Sequence, residues 1–258
     1  MTEAPLDTAW IIHIGGKDNQ EDCLLVDGEI VQEDELETAA ERTVSRLPAL
    51  FAVCDGMGGL RRGEWASRFV CSRLAEEAAV PESGDGITAR LGEIQEEMLA
   101  AGSGESGTTV ALLAVLGDRA LVVNAGDSRV YRLDGGGAEV LSHDHSLVQS
   151  LVDHGHIGPG DVPGHPYRHV VEFGLGPPFE RTWRKSGEHC HVREVPARPG
   201  DTFLLCTDGV NDTLTDEEIG RRLSPPDADA LTALARHLAE RARDNFTAVL
   251  VRLPGGPG

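Results

Sequence analysis

The sequence is poor in aromatic residues, in basic residues and in long apolar runs, and each scarcity excludes a class of protein. Aromatic side chains make up 4% of the 258 residues, so a core must rest on Leu, Val, Ile and Ala. The 23 basic residues face 43 acidic ones, and the formal net charge of −20 repels nucleic acid and anionic membranes. The longest strongly apolar stretch, residues 110–116, is far too short to span a bilayer. We therefore expect neither a nucleic-acid partner nor a membrane partner.

Cysteine is also scarce, and its arrangement indicates the redox compartment. The five cysteines are odd in number and contain no Cys-x-x-Cys pair, which argues against a disulfide framework. A reducing cytoplasm is therefore the predicted location. The first residues lack the basic and apolar parts of a signal peptide. The length fits one domain over residues 1–258, which we expect to act as a monomer.

Short apolar runs that end at Gly or Asp predict strands, and apolar residues at helical spacing predict helices between them. The predicted strands are residues 10–14, 23–26, 50–54, 109–116, 120–124, 130–133, 139–141, 203–206 and 246–253. The predicted helices are residues 64–79, 87–98, 146–153, a helix opened by the capping box at 215–218, and 231–242. The links within 109–141 cannot hold crossover helices, so its strands are predicted to form an antiparallel meander. The fold class is α+β, with antiparallel sheets and helices packed outside.

Two regions interrupt this pattern. Residues 27–46, approximately, form an acidic insert that we predict to lie on the surface. Residues 144–200, approximately, are rich in Gly, Pro and His and carry weak periodicity beyond the helix at 146–153. We predict that this second region is a mobile loop or flap beside the functional site.

Acidic residues recur at the ends of predicted strands. Glu21 and Asp22 precede one strand, Asp55 and Asp208 follow two others, and Asp244 precedes the last. A single Asp-Gly after an apolar run is more often a plain turn. Several carboxylates fixed by strand ends can instead share a cleft and form an oxygen-rich site for Mg²⁺ or Mn²⁺. Their recurrence favours the metal site.

A set of short motifs, spread over residues 15–250, resembles the type 2C metal-dependent protein phosphatases. The motifs occur in the order of that family, which makes the match far more specific than any one of them. They are Asn19-Gln-Glu-Asp22, Asp55-Gly-Met-Gly-Gly59, Gly63-Glu-Trp-Ala-Ser67, Ser106-Gly-Thr-Thr109, Asn124-Ala-Gly-Asp-Ser-Arg129, Asp144-His-Ser146, Thr207-Asp-Gly-Val210 and Asp244-Asn245.

The resemblance implies a two-sheet antiparallel β-sandwich flanked by helix pairs, in α-β-β-α layers, with metal ions at one end. It implies hydrolysis of phosphoserine and phosphothreonine on proteins by a metal-activated water, opposing a Ser/Thr kinase. Asp55 would bridge two Mn²⁺ or Mg²⁺ ions, and the Gly56 carbonyl would be a further ligand. The other ligands would be Asp208 and Asp244 at the first ion, Glu21 and Asp22 on the second side, and Asp127 with Asp208 at a weaker third ion.

The chain departs from the family pattern at three places near these motifs. Lys17 stands where the family has an arginine that binds the substrate phosphate, and Lys is a mobile point charge rather than a planar fork. Leu60 replaces a common histidine, and residues 172–174 replace Thr-Arg-Ala. Arg61 or Arg62 could compensate for Lys17, although both also fit solvated surface residues.

These departures leave alternatives open. The chain could be a phosphatase-like binding module with little turnover, or a phosphatase of small molecules. His189, Cys190 and His191 could bind zinc, but their spacing matches no common zinc site. Thr108 and Thr109 are predicted to serve as β-branched packing residues rather than site residues.

Overall fold

The structure is a computed structural model that describes residues 5–33, 35–58, 62–77, 79–102, 104–185 and 190–255. Its strands, in chain order, are β1 (Leu6–His13), β2 (Asp22–Val26), β3 (Glu29–Val31), β4 (Ala40–Val44), β5 (Ala49–Met57), β6 (Gly107–Thr108), β7 (Val110–Val115), β8 (Arg119–Ala125), β9 (Arg129–Asp134), β10 (Gly137–Val140), β11 (His191–Pro196), β12 (Thr202–Cys206) and β13 (Phe246–Arg252). Its α-helices are α1 (Gly63–Ala75), α2 (Gly84–Ala100), α3 (Leu147–Asp153), α4 (Glu180–Trp183), α5 (Asp208–Asn211), α6 (Asp216–Arg222) and α7 (Ala228–Ala239). Short 3-10 turns cover Pro159–Asp161 and Pro177–Phe179.

The strands form two sheets in which neighbouring strands run antiparallel. The six-stranded sheet has the order β10-β9-β12-β13-β1-β4. The seven-stranded sheet has the order β11-β8-β7-β5-β2-β3, and β6 pairs with the end of β5. Consecutive strands of the chain therefore either pair or often lie in different sheets, and β13 completes the centre of the first sheet between β1 and β12.

Three apolar layers hold the sheets and helices together. The inner faces of the two sheets meet in a central core that includes Leu24, Phe51, Phe203 and Val249. The outer face of the seven-stranded sheet packs on α1 and α2, and that of the six-stranded sheet packs on α5 to α7. The predicted α-β-β-α sandwich is thus confirmed, because each sheet buries one face on the other and one face under helices.

The predicted helices are confirmed with small shifts of their ends. Thr215 and Glu218 form the predicted capping box at the start of α6, and Ser146 caps α3. The helical spacing at 87–98 corresponds to the buried face of α2.

The predicted meander is wrong at its centre. β7 pairs with β8 and β9 pairs with β10, but β8 and β9 lie in different sheets. Gly126, between them, has φ +116°, and an added Cβ there would come within 2.5 Å of the Thr109 Cβ. A link this short can close a hairpin or carry the chain to the opposite sheet, so its length does not decide the pairing.

The two irregular regions contain more structure than the sequence indicates. The acidic insert supplies β3 and β4, which are edge strands of the two sheets. The flap prediction is wrong for its last part, because β11 is an edge strand paired along β8. Phe173 and Leu175, inside the same region, are buried in the core under α2. Within the described ranges, no helix combines the length and the apolarity needed to cross a bilayer.

Candidate metal centre

Most of the predicted ligands meet at one end of the sandwich because of how the strands pair. Asp22 begins β2 and lies directly opposite Asp55 of the neighbouring β5. Asp208 follows β12, and Asp244 precedes the neighbouring β13, so these two lie at the matching end of the other sheet. Asp127 lies in the link that carries the chain from one sheet to the other.

Asp22 joins the two sheets at this end. Its Oδ2 accepts hydrogen bonds of 2.7 Å from both Thr207 Oγ1 and Thr247 Oγ1, which belong to the opposite sheet and its adjoining loop. The residue is fully buried, and its Oδ1 has no hydrogen-bond donor among the described residues. Neither threonine was predicted as a site residue, although Thr207 immediately precedes Asp208 and is a polar residue at a strand end.

Thr108 and Thr109 have a larger role than the predicted packing. The Asp55 amide donates to Thr109 Oγ1 over 3.1 Å, and Thr108 Oγ1 donates to the Asp55 carbonyl over 2.8 Å. Ser128 bonds the Thr109 hydroxyl over 2.7 Å. Both threonines are fully buried, so their hydroxyl groups fix the Asp55 backbone from inside the protein. The burial of both side chains agrees with the packing prediction, and their hydroxyl groups add a role in supporting Asp55 that was not predicted.

Glu21 and the Gly56 carbonyl are brought together by a glycine at the start of α1. A Cβ added to Gly63 would come within 2.6 Å of Glu21 Oε1 and 2.8 Å of the Gly56 carbonyl oxygen. The Glu21 backbone is held by Asn245, whose Oδ1 accepts its amide over 2.8 Å, and by Ser67, whose hydroxyl donates to its carbonyl. The two oxygens therefore face a common space that only glycine at position 63 leaves open.

The buried carboxylates repel one another. Burial, followed by the charges of Asp208 and Asp244, raises the pKa of Asp22 to about 8, against the lowering effect of the two threonine bonds. Burial and neighbouring carboxylates likewise raise the pKa of Asp208 to about 7 and hold the pKa values of Asp55 and Asp127 well above the usual range. Asp127 Oδ1 and Asp208 Oδ1 lack hydrogen-bond donors among the described residues.

Lys17 brings a positive charge to this cluster. Its Nζ lies 2.7 Å from Asp244 Oδ1, and both side chains are about two-fifths exposed. Burial lowers the pKa of Lys17, but the bond to Asp244 and the charges of Asp55 and Glu21 outweigh that effect and raise it above the usual lysine value. Lys17 is therefore fully protonated at neutral pH and faces the carboxylates.

A second group adjoins Asp208 on the side of the flap region. The ligand atoms of His169, Asp208 and Asp212 lie within 4.8 Å of one another, and His169 Nδ1 is 2.8 Å from Asp212 Oδ2. Among the described residues no other three His, Cys, Asp or Glu side chains come together so closely. His169 and Asp212 were not predicted as site residues.

Other candidates lie away from the centre or outside the described residues. Arg62 is exposed and donates to the Gly102 carbonyl over 3.3 Å. Leu60, Arg61 and His189 lie outside the described residues, so the structure does not describe the predicted zinc site as a whole. Its remaining members are Cys190, which is buried, and His191, whose Nε2 is 3.3 Å from the Leu141 carbonyl oxygen.

Comparisons with known proteins agree with the resemblance seen in the motifs. The family model described as protein phosphatase 2C matches residues 27–251. Serine/threonine protein phosphatase PstP of Mycobacterium tuberculosis is 34% identical over 217 residues, which cover 78% of this chain and 40% of PstP. Serine/threonine phosphatase stp of Listeria innocua is 28% identical over 218 residues, which cover 77% of this chain and 82% of that protein. The chain thus spans less than half the length of its mycobacterial relative.

Solved structures resemble the whole architecture. The crystal structure of the Mycobacterium tuberculosis serine/threonine phosphatase PstP superposes with a TM-score of 0.76 at 28% identity, covering 97% of this chain and all of that one. The catalytic domain of PstP in complex with two manganese ions superposes with a TM-score of 0.74 at 27% identity, covering 97% of this chain and 99% of that one.

Proposed function

Since the chain belongs to the protein phosphatase 2C family, we propose that it hydrolyses phosphoserine and phosphothreonine on proteins at a centre of two Mn²⁺ or Mg²⁺ ions. The observation that carries the proposal is the cluster of buried carboxylates with unpartnered oxygens on Asp22, Asp127 and Asp208. Buried charges without partners destabilise a protein, and oxygen clusters of this kind bind divalent cations.

The residues present fit such a centre. Asp55 would bridge the two ions, with the Gly56 carbonyl beside it. Asp208 and Asp244 would hold the first ion, and Glu21 and Asp22 would act on the second side. Asp127 and Asp208 would hold a weaker third ion, and the raised pKa values of both carboxylates support a cation between them. When bound, the ions supply a nucleophilic water and polarise the phosphoryl group.

The chain's own contribution is to hold charges in fixed positions before the substrate arrives. Threonine hydroxyl groups fix Asp22 and Asp55, so little reorganisation is needed during the reaction. Lys17 would bind the equatorial phosphate oxygens, where negative charge lies in the transition state of phosphoryl transfer. The substrate would be a phosphoprotein made by a Ser/Thr kinase. The acting unit would be a monomer with a single catalytic domain.

A cytoplasmic location also belongs to the proposal. All five cysteines are buried and free, which suits a reducing compartment.

Hydrolysis of p-nitrophenyl phosphate and of a phosphothreonine peptide, in EDTA and in added Mn²⁺ or Mg²⁺, tests the proposal. We expect activity to vanish in EDTA and to return with either metal. Asp55→Asn, Asp208→Asn and Asp244→Asn should each lower kcat/KM by at least about 10- to 100-fold, the loss typical of outer-shell partners alone. Asp118→Asn, at an exposed link between β7 and β8, is the matched control and should retain activity.

The same assays separate the alternatives. Full activity in EDTA would refute the metal mechanism. Peptide binding without turnover in any metal would favour a phosphatase-like binding module. Hydrolysis of free phosphorylated metabolites with a higher kcat/KM than that of phosphopeptides would favour a small-molecule phosphatase.

A further inference from the structure

A groove of about 540 Å³ runs from the metal centre to the start of α6. Asp127 and Asp208 line one end, and Asp127 is 94% buried with its Oδ1 unpartnered among the described residues. The size is that of pockets that bind ligands. The groove is therefore continuous with the proposed catalytic centre and large enough for part of a substrate.

Part of the groove lining is apolar. It includes Val148 and Val152 of α3, Val162 of the following loop, and Leu214. Val152 and Val162 are partly exposed, so they offer apolar surface to whatever enters. An entering group gains most if its middle part is apolar.

The charged side chains that line the groove are mostly acidic. Apart from the candidate metal ligands, the lining contains four carboxylates and two arginines: Asp144, Asp212, Asp216, Glu218, Arg129 and Arg168. Arg129 forms an ion pair with Asp144, whose two carboxylate oxygens accept hydrogen bonds from its guanidinium over 2.7–3.1 Å. Asp212 Oδ2 lies 4.0 Å from Arg168 Nε and 2.8 Å from His169 Nδ1. The remaining acidic side chains are Asp216 and Glu218.

These two acidic residues keep negative charge at the groove. Asp216 Oδ1 accepts bonds from both Tyr131 and Arg129, yet its side chain is 45% exposed. Glu218 Oε2 accepts the Thr215 amide in the capping box. The start of α6 carries at most about half a positive charge, which its acidic first turn outweighs. A cation is therefore favoured beside Asp216 and Glu218.

We propose that the groove binds a lysine or arginine side chain of the substrate protein, close in sequence to the phosphorylated residue. The methylene stem lies against Val152 and Val162, and the charged head lies at Asp216 and Glu218. Long basic side chains bury their stems on apolar surface while their heads remain at polar groups, and the groove lining offers both kinds of surface. This inference rests on the proposed phosphatase function, because it gives Asp216 and Glu218 a role in substrate specificity: they would favour phosphoproteins with a basic residue near the phosphorylated one.

The test compares phosphothreonine peptides that carry one arginine at the second or third position on either side of the phosphothreonine. A control peptide has the same composition with the arginine about six positions away, so that the overall charge of the protein acts equally on both. We expect kcat/KM to be about 3- to 10-fold higher for at least one near-arginine peptide at low salt, as one or two exposed charge pairs provide. The preference should shrink in 1 M salt, where the screening length falls to about 3 Å.

Variants locate the effect. The double variant Asp216→Asn, Glu218→Gln removes both charges while keeping acceptors for Tyr131 and for the capping box. In this variant the ratio of kcat/KM between the near-arginine and control peptides should fall close to one. Glu217→Gln is the matched control, because Glu217 is 83% exposed, does not line the groove and pairs with Arg221. Melting temperatures verify folding, and Glu218→Gln alone replaces the double variant if the latter unfolds.

Two results would overturn the inference: equal kcat/KM wherever the arginine stands, or a preference that survives in the double variant. If neither the peptides nor p-nitrophenyl phosphate are hydrolysed, the proposed function fails. Fluorescence anisotropy with labelled phosphonate analogues of the same peptides then still tests the groove. Tighter binding of a near-arginine analogue than of the control analogue, lost in the double variant, supports the proposed role of the groove. Equal affinities for all the analogues refute it.

Discussion

Asp22 has no exposed surface, and only one of its carboxylate oxygens has hydrogen-bond donors among the described residues. A buried carboxylate without a counter-charge destabilises a fold, and proteins retain such groups mainly where they function. Thr207 and Thr247 fix the group without neutralising it, since a hydroxyl carries no net charge. These features support the proposed role of Asp22 in holding a cation rather than a role in the stability of the metal-free chain.

At the same scale, substitution of Lys17 tests whether its side chain binds the substrate or only forms an ion pair with Asp244. We expect Lys17→Ala to raise KM and lower kcat/KM for a phosphopeptide by roughly 5- to 30-fold, which corresponds to about 1–2 kcal/mol of transition-state binding. Lys17→Arg should equal or exceed the wild type, because a guanidinium meets two phosphate oxygens at once. The measurement is steady-state kinetics at saturating Mn²⁺.

Lys185→Ala, which removes the only other lysine of the sequence, is the control for that series. Metal affinity should change little in the Lys17 variants. Identical kcat/KM for wild type and Lys17→Ala would remove Lys17 from the site and leave it as the partner of Asp244.

At the scale of elements, the start of α1 determines whether Glu21 and the Gly56 carbonyl can share a cation. We expect Gly63→Ala to raise the dissociation constant for Mn²⁺ by about 10- to 100-fold, the range found when groups supporting a metal site are changed. The reason is steric: the new methyl group would lie 2.6 Å from Glu21 Oε1 and 2.8 Å from the Gly56 carbonyl oxygen. Isothermal titration calorimetry with Mn²⁺ measures it.

Gly92→Ala is the matched control for Gly63→Ala. Its added Cβ would make only an ordinary 3.6 Å contact with the Trp183 ring, and alanine favours the interior of α2. Mn²⁺ affinity should remain at the wild-type value in this variant. Wild-type affinity in Gly63→Ala as well would show that Glu21 and Gly56 do not share an ion.

At the scale of the whole molecule, the raised pKa values predict how stability depends on pH. In the metal-free protein, Asp22 and Asp208 keep protons up to about pH 8 and 7, whereas the unfolded chain releases them near pH 4. The folded state then binds more protons than the unfolded state. Its stabilisation is complete below about pH 4 and is lost as the pH rises through 7 and 8.

The melting temperature in EDTA should therefore fall between pH 6 and pH 9, by about 2–4 °C for each kcal/mol lost. Mn²⁺ should raise the melting temperature at every pH, and more at pH 9, because it binds the ionised carboxylates of the folded state. Differential scanning fluorimetry measures both series. A melting temperature in EDTA that rises from pH 7 to pH 9 would contradict the assignment of Asp22 and Asp208 to a buried cluster.

The sequence by itself determined the kinds of elements and named the candidate residues of the proposed centre. Periodicity predicted α2 and the strands of the core, because the buried face of an element is written into its own residues. Carboxylates at strand ends predicted Asp55, Asp208 and Asp244, since a strand end is recognisable locally. Family motifs added Asp127 and Gly56, which no periodicity indicates.

Only the tertiary structure decided which strands share a sheet and which groups support the ligands. Gly126 carries the chain between sheets where a meander was predicted, because a local turn signal does not specify the partner of the next strand. Thr247 meets Asp22 across 225 residues of sequence. Pairings of that separation depend on how the complete chain buries its apolar faces. For that reason neither they nor the groove that ends at Glu218 can be predicted from a local pattern.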